Sequence, residues 1–540
     1  MNASSIDPEF INGIIAGRLH KTRNDNECHG DQGEKTLSMG NHKIKQDLYR
    51  TFSVVLGLSF AQACFCTPNI LLILTDDLNT RISTYGDPIA KTPNIDRLAK
   101  VGIRFDRAYA NYPQCMASRA SFLTGLYPEQ NGVSRLHHKL REKVPKVATL
   151  PQILKENGYH TAAVGKIFHF NVPSGIGSPN YDVDPISWSE SHNPAGIDRT
   201  SAEEIKYLGP HINEKSKGSN MNGGWLSTIR LGGTRNDYTD GKITNLASNI
   251  LTNIAKNQDD KPFFLAVGYV RPHVPFSAPE HFFDLYPTTK ISTESVPKND
   301  REDIPLPQLS DRPYQLEMTE TVKKEMMQAY YASISFIDDE IGRLIQKLDD
   351  LDLRESTLIL FTSDHGYLLG EHDLWQKPNL FEQTLRVPLV IASRHVKRPG
   401  VATKTLVELI DIYPTILSLA GLDIPKHNAG KSFAELLEQP NKLIRPSALS
   451  MSHSQASSSI RPGVLLKNTM GYTIKTKHFR YTEWDGGIHG AELYDHRSDP
   501  KEITNLYSTT KYASERSRLG QILQERILES REPREYLYGS

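Results

Sequence analysis

Cysteine is scarce: the 540 residues carry four, at Cys28, Cys64, Cys66 and Cys115. With three of them in the first 66 positions, a disulfide-built scaffold is excluded. Charge of one sign is missing too. The 63 Lys and Arg balance 63 Asp and Glu, so there is no broad basic footprint for nucleic acid. No apolar run is long enough for a stable membrane span. Low-complexity tracts and internal repeats are absent, which removes solenoids and propellers. What remains is a globular composition, 38% hydrophobic, with enough apolar residues for a large core. At roughly 150 residues per domain, two or three units, or one large α/β domain with a smaller appendage, are expected.

Residues 1–50 are polar. Lys43, Lys45 and Arg50 then precede an apolar run over 51–60, followed by the small-residue pattern Ala61, Gln62, Ala63. This order reads as a secretory signal peptide over 39–66, starting at Met39, with 1–38 as upstream sequence. A buried first strand or helix is the alternative. Cys64 as a lipid-anchor cysteine is a weak signal, because Ala61 stands where such sites usually carry a Leu-like residue. The expected location is secreted or periplasmic. Cleavage leaves Cys115 as the one interior cysteine, which invites a chemical reading of it.

The body alternates strand-like and helix-like segments. Short apolar runs at 69–74, 161–164, 262–267, 357–361 and 387–391 read as buried strands. A helix opens at Thr92 and Pro93 with Ile95, Leu98 and Ala99 on one face, another covers 151–157 before Gly158, and long helices are expected over 326–351 and 405–420. Such alternation predicts an α/β fold, a large mostly parallel sheet sandwiched by helices. Loop-rich stretches at 170–235 and 285–320 are either a pocket rim or plain surface. After residue 422 the pieces shorten to strands around Tyr472 and Phe479 and a terminal helix. The expected division is a catalytic domain over 67–421 and a C-terminal α+β subdomain over 422–540.

Four of the buried strands are followed by chemistry-bearing residues: Asp76 and Asp77, Lys166 and His169, Arg271 and His273, Asp364 and His365. A single charged residue after a strand is usually a solvated loop start, but parallel sheets bind ligands at their carboxyl ends, and four such ends point to one crevice. Asp76, Asp77 and Asp364 brought together repel unless a cation joins them. Three carboxylates favour Ca²⁺ or Mg²⁺. His365 as a ligand leaves Mn²⁺ or Zn²⁺ open on chemistry alone. Cys115 falls near the start of a helix expected over 118–123, where free N–H groups favour anions. Arg119 lies one turn on. A buried structural cysteine is the plain alternative.

Cys115, Ala117, Ser118 and Arg119, followed by Leu123, Thr124 and Gly125, closely resemble the signature of type I sulfatases. Asp76 and Asp77, Thr92 to Asp96, Gly165 and Lys166, Ser363 to Gly366, and Gly370 to His372 with Lys377 follow in that family's order. Residues 165–169, 271–276 and His365 are most similar to its iduronate-2-sulfatase branch and to related bacterial polysaccharide sulfatases. The resemblance covers essentially the whole mature chain and implies an alkaline-phosphatase-like fold. It implies that Cys115 is converted to formylglycine (3-oxoalanine) by a formylglycine-generating maturation enzyme. The hydrate would bind one Ca²⁺ per chain, held by Asp76, Asp77, residue 115, Asp364 and His365, and attack sulfur. By the same resemblance Arg119 orients the hydrate, Lys166 bridges it to sulfate, Lys377 and His273 hold the ester, and His169 is the base that collapses the sulfated intermediate. The implied partner is a sulfated oligo- or polysaccharide, a glycosaminoglycan or an algal polymer such as ulvan, carrageenan or fucoidan. The chain has Ala117 where the common signature has Pro, which bears on which maturation enzyme acts. Rival readings are a phosphomonoester or phosphonate monoester hydrolase with the same metal site, and an unmatured glycan-binding protein. His372 is left outside the core set, and no local feature selects His137, His138, His453 or His489. Trp188, Trp225, Trp375 and Trp484 are candidates for stacking on sugars or for core packing.

Overall fold

The computed structural model describes residues 67–535 except 180, 182, 202–203, 208–225, 258–260, 313–314, 316–317, 457–465 and 467. The expected signal segment, Cys28, Cys64, Cys66 and Trp225 lie outside these described residues. Strands β1 (Asn69–Thr75), β2 (Ile103–Phe105), β3 (His160–Gly165), β4 (Glu190–His192), β5 (Phe263–Gly268), β6 (Thr357–Ser363), β7 (Leu389–Ala392) and β8 (Ala402–Thr403) form one sheet in the order β8-β2-β7-β6-β1-β5-β3-β4. The five central and outer strands β6, β1, β5, β3 and β4 pair in parallel, while β7 runs antiparallel to both β6 and β2.

Alternation along β1 divides the core. Leu71 and Ile73 pack on one face with the helices at 93–101, 239–257 and 320–350; Ile70, Leu72 and Leu74 pack on the other with those at 115–124, 150–156 and 412–419. In chain order these helices are α1 (Pro93–Val101), α2 (Cys115–Thr124), α3 (Leu150–Glu156), α4 (Thr239–Asn257), α5 (Glu320–Asp350) and α6 (Ile412–Leu419). The sheet buried on both faces is why its strands read as continuous apolar runs.

Three sequence expectations need correction. The run 387–391 is not one strand: Pro388 lacks an N–H and breaks it into Arg386–Val387 and β7, which belong to different sheets. The long helix over 405–420 shrinks to α6. Pro414 fits only a helix's first turn, and Val407–Glu408 instead pairs in parallel with Ala108–Tyr109. The helix expected at 118 starts at Cys115 itself, after extended Gln114.

Beyond residue 440, strands β9 (Ser447–His453), β10 (Met470–Thr476), β11 (Phe479–Trp484) and β12 (Ala491–Asp495) make an antiparallel sheet, followed by helix α7 (Ala513–Arg531). Its core residues Leu449, Ile474, Leu519 and Leu523 cluster with Tyr112, Ala117 and Tyr127 around α2. Buried Glu408 fastens the same junction, accepting from Asn111, Tyr127, Arg445 and, at 2.6 Å, Arg526 of α7. Among the described residues no helix is long and apolar enough to cross a membrane.

At the carboxyl end of β3, Gly165 has φ +80°, and a Cβ there would sit 2.2 Å from the carbonyl oxygen of Gly268 on β5. Only glycine turns the chain there and lets Lys166 emerge beside β5. Gly165→Ala is expected to cost about 2–4 kcal/mol through the clash and the left-handed backbone, read as a lowered Tm in thermal unfolding. An unchanged Tm contradicts the packing described.

Candidate active site

The strand register sets the site. Thr75 is level with Ser363, Leu74 with Gly268, and Gly165 with Gly268. Residues that follow β1, β6, β5 and β3 therefore leave the sheet at one height. Asp76, Asp77, Lys166, Asp364 and His365 are fully buried there, and His169 and His273 nearly so. Asp77 has φ 69°, a left-handed conformation that Asp tolerates better than most residues, and its N–H donates to Asp364 Oδ1 at 3.2 Å.

Cys115, the first residue of α2, points its thiol into this cluster. His365 Nε2 lies 3.3 Å and Lys377 Nζ 3.1 Å from Sγ. The His365 Nδ1 sits 2.9 Å from the Gly366 carbonyl oxygen, which can only accept, so Nδ1 carries a proton and Nε2 faces the site, able to ligate once it has lost its own. Arg119 is clamped by Asp364 Oδ2 at 2.9 Å and donates to the carbonyls of Lys166 and Ile167; its Nη2 approaches Asp76 Oδ1 at 3.4 Å. Lys166 bonds Asp76 and Lys377 bonds Asp77. His273 donates through Nδ1 to the Val274 carbonyl at 2.6 Å and turns Nε2 to 3.9 Å from Asp77. Neither ring nitrogen of His169 has a hydrogen-bond partner.

The charges are finely opposed. Burial works against ionising the Cys115 thiol, but Lys377, Lys166 and His365 outweigh it and hold the thiol well below its ordinary range. Burial pushes Asp364 up to about 7 against the pull of Arg119 and His365. His365, despite burial, is raised to about 9, chiefly by Asp364. Asp76 stays below the usual carboxylate range because Lys166, His273 and Arg119 overcome its burial and the Cys115 charge. Burial lowers His169.

These residues fit a divalent cation. Donor atoms of Asp76, Cys115, Asp364 and His365 all lie within 4.8 Å of one another, as do those of Asp77, Cys115 and His273. That spread matches ligands on opposite sides of an ion at about 2.4 Å each. Asp76 Oδ1 and Asp77 Oδ2 are buried without a hydrogen-bond partner, an expensive state that a cation relieves.

All ten sequence-selected residues, Asp76, Asp77, Cys115, Arg119, Lys166, His169, His273, Asp364, His365 and Lys377, thus meet in one place. A pocket of about 360 Å³ opens above Cys115 and is also lined by Gln114, Asn171, Arg312, Gln376 and Gln455. Sequence reasoning missed these five. Gln114 and Gln376 adjoin selected residues and Asn171 lies two beyond His169, whereas Arg312, in the loop-rich stretch 285–320, and Gln455 have no signal of their own. His372 bonds Asp300 at 3.0 Å and stacks on Phe381, outside the cluster. Trp188, Trp375 and Trp484 are core residues.

Residues 68–422 match the family model described as Sulfatase, and 370–529 match N-sulphoglucosamine sulphohydrolase, C-terminal. The chain is 31% identical over 521 residues to the iduronate 2-sulfatase of Homo sapiens, covering 82% of this chain and 92% of that one. It is 30% identical over 476 residues to a sulfatase of Formosa agariphila, covering 83% and 84%. Its fold is similar to that of the phosphonate monoester hydrolase of Agrobacterium radiobacter, with TM-score 0.69, 23% identity, and coverage of 86% and 96%.

Proposed function

The chain belongs to the sulfatase family and is a sulfuric ester hydrolase, and from that premise we propose that it desulfates a sulfated carbohydrate by a formylglycine- and metal-dependent route. The observation that carries this reading is the Cys115 thiol at the first turn of α2, ringed by two lysines, an arginine, His365 and three carboxylates, two of which have an orphaned oxygen. In the matured protein that thiol's place is taken by an aldehyde, which on hydration supplies both an attacking oxygen and a second hydroxyl through which sulfate is expelled. A divalent ion, Ca²⁺ by its carboxylate-rich donors, would be held by Asp76, Asp77, residue 115, Asp364 and His365, and would supply Lewis acidity toward the sulfate oxygens.

The other side chains have definite tasks. Arg119, fixed at three points, holds Asp364 and the 166–167 backbone so that residue 115 keeps its orientation. Lys377 and Lys166 flank residue 115 and place positive charge where sulfate oxygens gather. His273, with Nδ1 tied to a carbonyl, offers Nε2 to the oxygen of the departing sugar. His169, buried with both nitrogens unpaired, is the base for the second half of the reaction. Similarity to iduronate 2-sulfatase supports a sulfated uronic acid or related sugar, in a glycosaminoglycan or an algal polysaccharide. The cleavage pattern at 61–63 supports secretion or a periplasmic location.

Two measurements test this. Peptide mass spectrometry on protein from the native host is expected to find a carbonyl in place of the thiol at 115. A panel of sulfated oligosaccharides, run beside aryl sulfate and aryl phosphate, is expected to show sulfate release from sugars; faster phosphate turnover would overturn the assignment.

Metal affinity is expected to rise with pH. In the metal-free protein Asp364 holds a proton below about 7 and His365 below about 9. Both must leave before these groups can ligate. Apparent affinity should therefore climb about tenfold per pH unit between 7 and 9, and more steeply below 7. Calcium titration calorimetry across pH 6–9 checks this; a flat profile would remove Asp364 and His365 from the ligand set.

A further inference from the structure

On another part of the surface, five chain segments, those at 382–386 and 496–500 among them, line a second pocket of about 380 Å³. Arg107 arrives from the turn after β2, Lys404 from the end of β8, Lys475 from β10, and Lys477 with His478 from the turn into β11. Only two carboxylates line it, and both are engaged elsewhere. Asp106 accepts from Arg104 at 2.8 Å; Glu382 accepts from Tyr109 at 2.9 Å and from Arg480 at 2.5 Å. Among the described residues Arg107, Lys404, Lys475 and Lys477 have no carboxylate partner.

Lys475 is the telling member. It is only 3% exposed, and its ammonium donates only to the Thr476 carbonyl at 3.1 Å. Burying a cation with so little compensation is costly. Desolvation, opposed by Glu382, accordingly brings it down to about 8. Neighbouring Arg107, Lys477 and Arg497 likewise disfavour a second positive charge on His478, whose pKa burial already lowers. A pocket lined by Arg107, Lys404, Lys475 and Lys477, with no carboxylate in direct contact and Glu382 and Glu502 acting on Lys475 only from farther off, is complementary to an oxyanion. Its volume far exceeds that of a bare tetrahedral anion and is of small-ligand size.

We propose that this pocket is a non-catalytic binding site for a sulfate-type oxyanion, one borne on a sugar of the polymer that the enzyme desulfates. The carrier rests on the sulfated-carbohydrate reading above; the oxyanion preference does not. Such a site would grip a sulfated chain away from Cys115 and raise its residence on the enzyme.

The test is fluorescence anisotropy with a labelled sulfated oligosaccharide, its desulfated counterpart, and inorganic sulfate as competitor. Lys404→Glu combined with Lys477→Glu, both at exposed positions, is expected to weaken binding of the sulfated probe about tenfold or more. Its turnover of a small aryl sulfate should stay within about twofold of wild type. Lys475→Met should weaken binding similarly. Competition by inorganic sulfate in the wild type, lost in the double variant, would mean that the pocket takes the free anion as well; no competition would mean that the sugar is required. Either supports the site. Equal binding of the sulfated probe by wild type and double variant overturns it, as does an equal loss for the desulfated probe. Should the wild type fail to turn over aryl sulfate while the binding difference persists, the catalytic reading falls and the oxyanion site stands.

Discussion

Cys115→Ala is expected to lower sulfate ester hydrolysis on the order of 10⁴-fold or more, the scale of losing a covalent nucleophile. Calcium binding should largely survive. Asp76, Asp77, Asp364 and His365 keep their places, because the thiol is one of several donors and, beyond its contacts to His365 and Lys377, the loops are tied by the Asp77 and His365 N–H groups donating to Asp364 Oδ1. The side chain is fully enclosed at the start of α2, so removal of one sulfur atom should cost only about 1 kcal/mol of stability. Steady-state turnover of an aryl sulfate, calorimetric metal titration and a melting curve on the same preparation separate these effects. Wild-type turnover in the alanine variant would leave the proposed chemistry without a nucleophile.

Arg119→Met should act on stability as well as rate. The guanidinium is wholly buried between Asp76 and Asp364, and methionine roughly keeps its volume while removing the charge. Two buried carboxylates then lose their shared counter-ion, a loss of about 3–5 kcal/mol. The effect has a predictable sign with pH. Arg119 lowers both carboxyl pKa values in the folded protein; its removal lessens the depression of Asp76 and raises Asp364, already at about 7, further above its unfolded value, and Asp364 sets the dependence above pH 4. A carboxyl raised in this way favours the fold below its unfolded pKa and loses that advantage as pH climbs through its folded pKa. In metal-stripped protein the gap between variant and wild type should thus be small near pH 4 and largest above about 7. Denaturant titrations at several pH values check this; a pH-independent gap would mean that packing, not charge, is what Arg119 supplies.

Much of this site could be read from sequence because a parallel sheet converts order along the chain into position in space. Asp76, Lys166, His273 and Asp364 each stand just after an apolar run, and the in-register pairing of Thr75 with Ser363 and Gly165 with Gly268 brings those run-ends together. Lys377 is different. It follows only the two-residue strand Trp375–Gln376, outside the main sheet, and only the family resemblance singled it out; Gln376, at φ 81°, turns the chain toward the thiol. Arg312 and Gln455 were invisible for a related reason, since loop conformation has no periodicity to betray it. The misread helix at 405–420 shows apolar spacing outvoting local chemistry. Pro414 and the carboxylates of Glu408 and Asp411, both claimed by Arg445, dictate a strand, a tight turn and a short helix instead.

The junction around α2 sets a timetable. Arg526 Nη2 donates both to Glu408 and, at 2.6 Å, to the Tyr127 hydroxyl, so a helix far downstream in the chain seals the segment that carries Cys115. With that helix docked, the Cys115 thiol is almost wholly enclosed and out of reach of another protein's cleft. On the proposed formylglycine route, conversion of residue 115 is therefore expected before α7 docks, and molecules that finish folding unconverted are expected to stay inert.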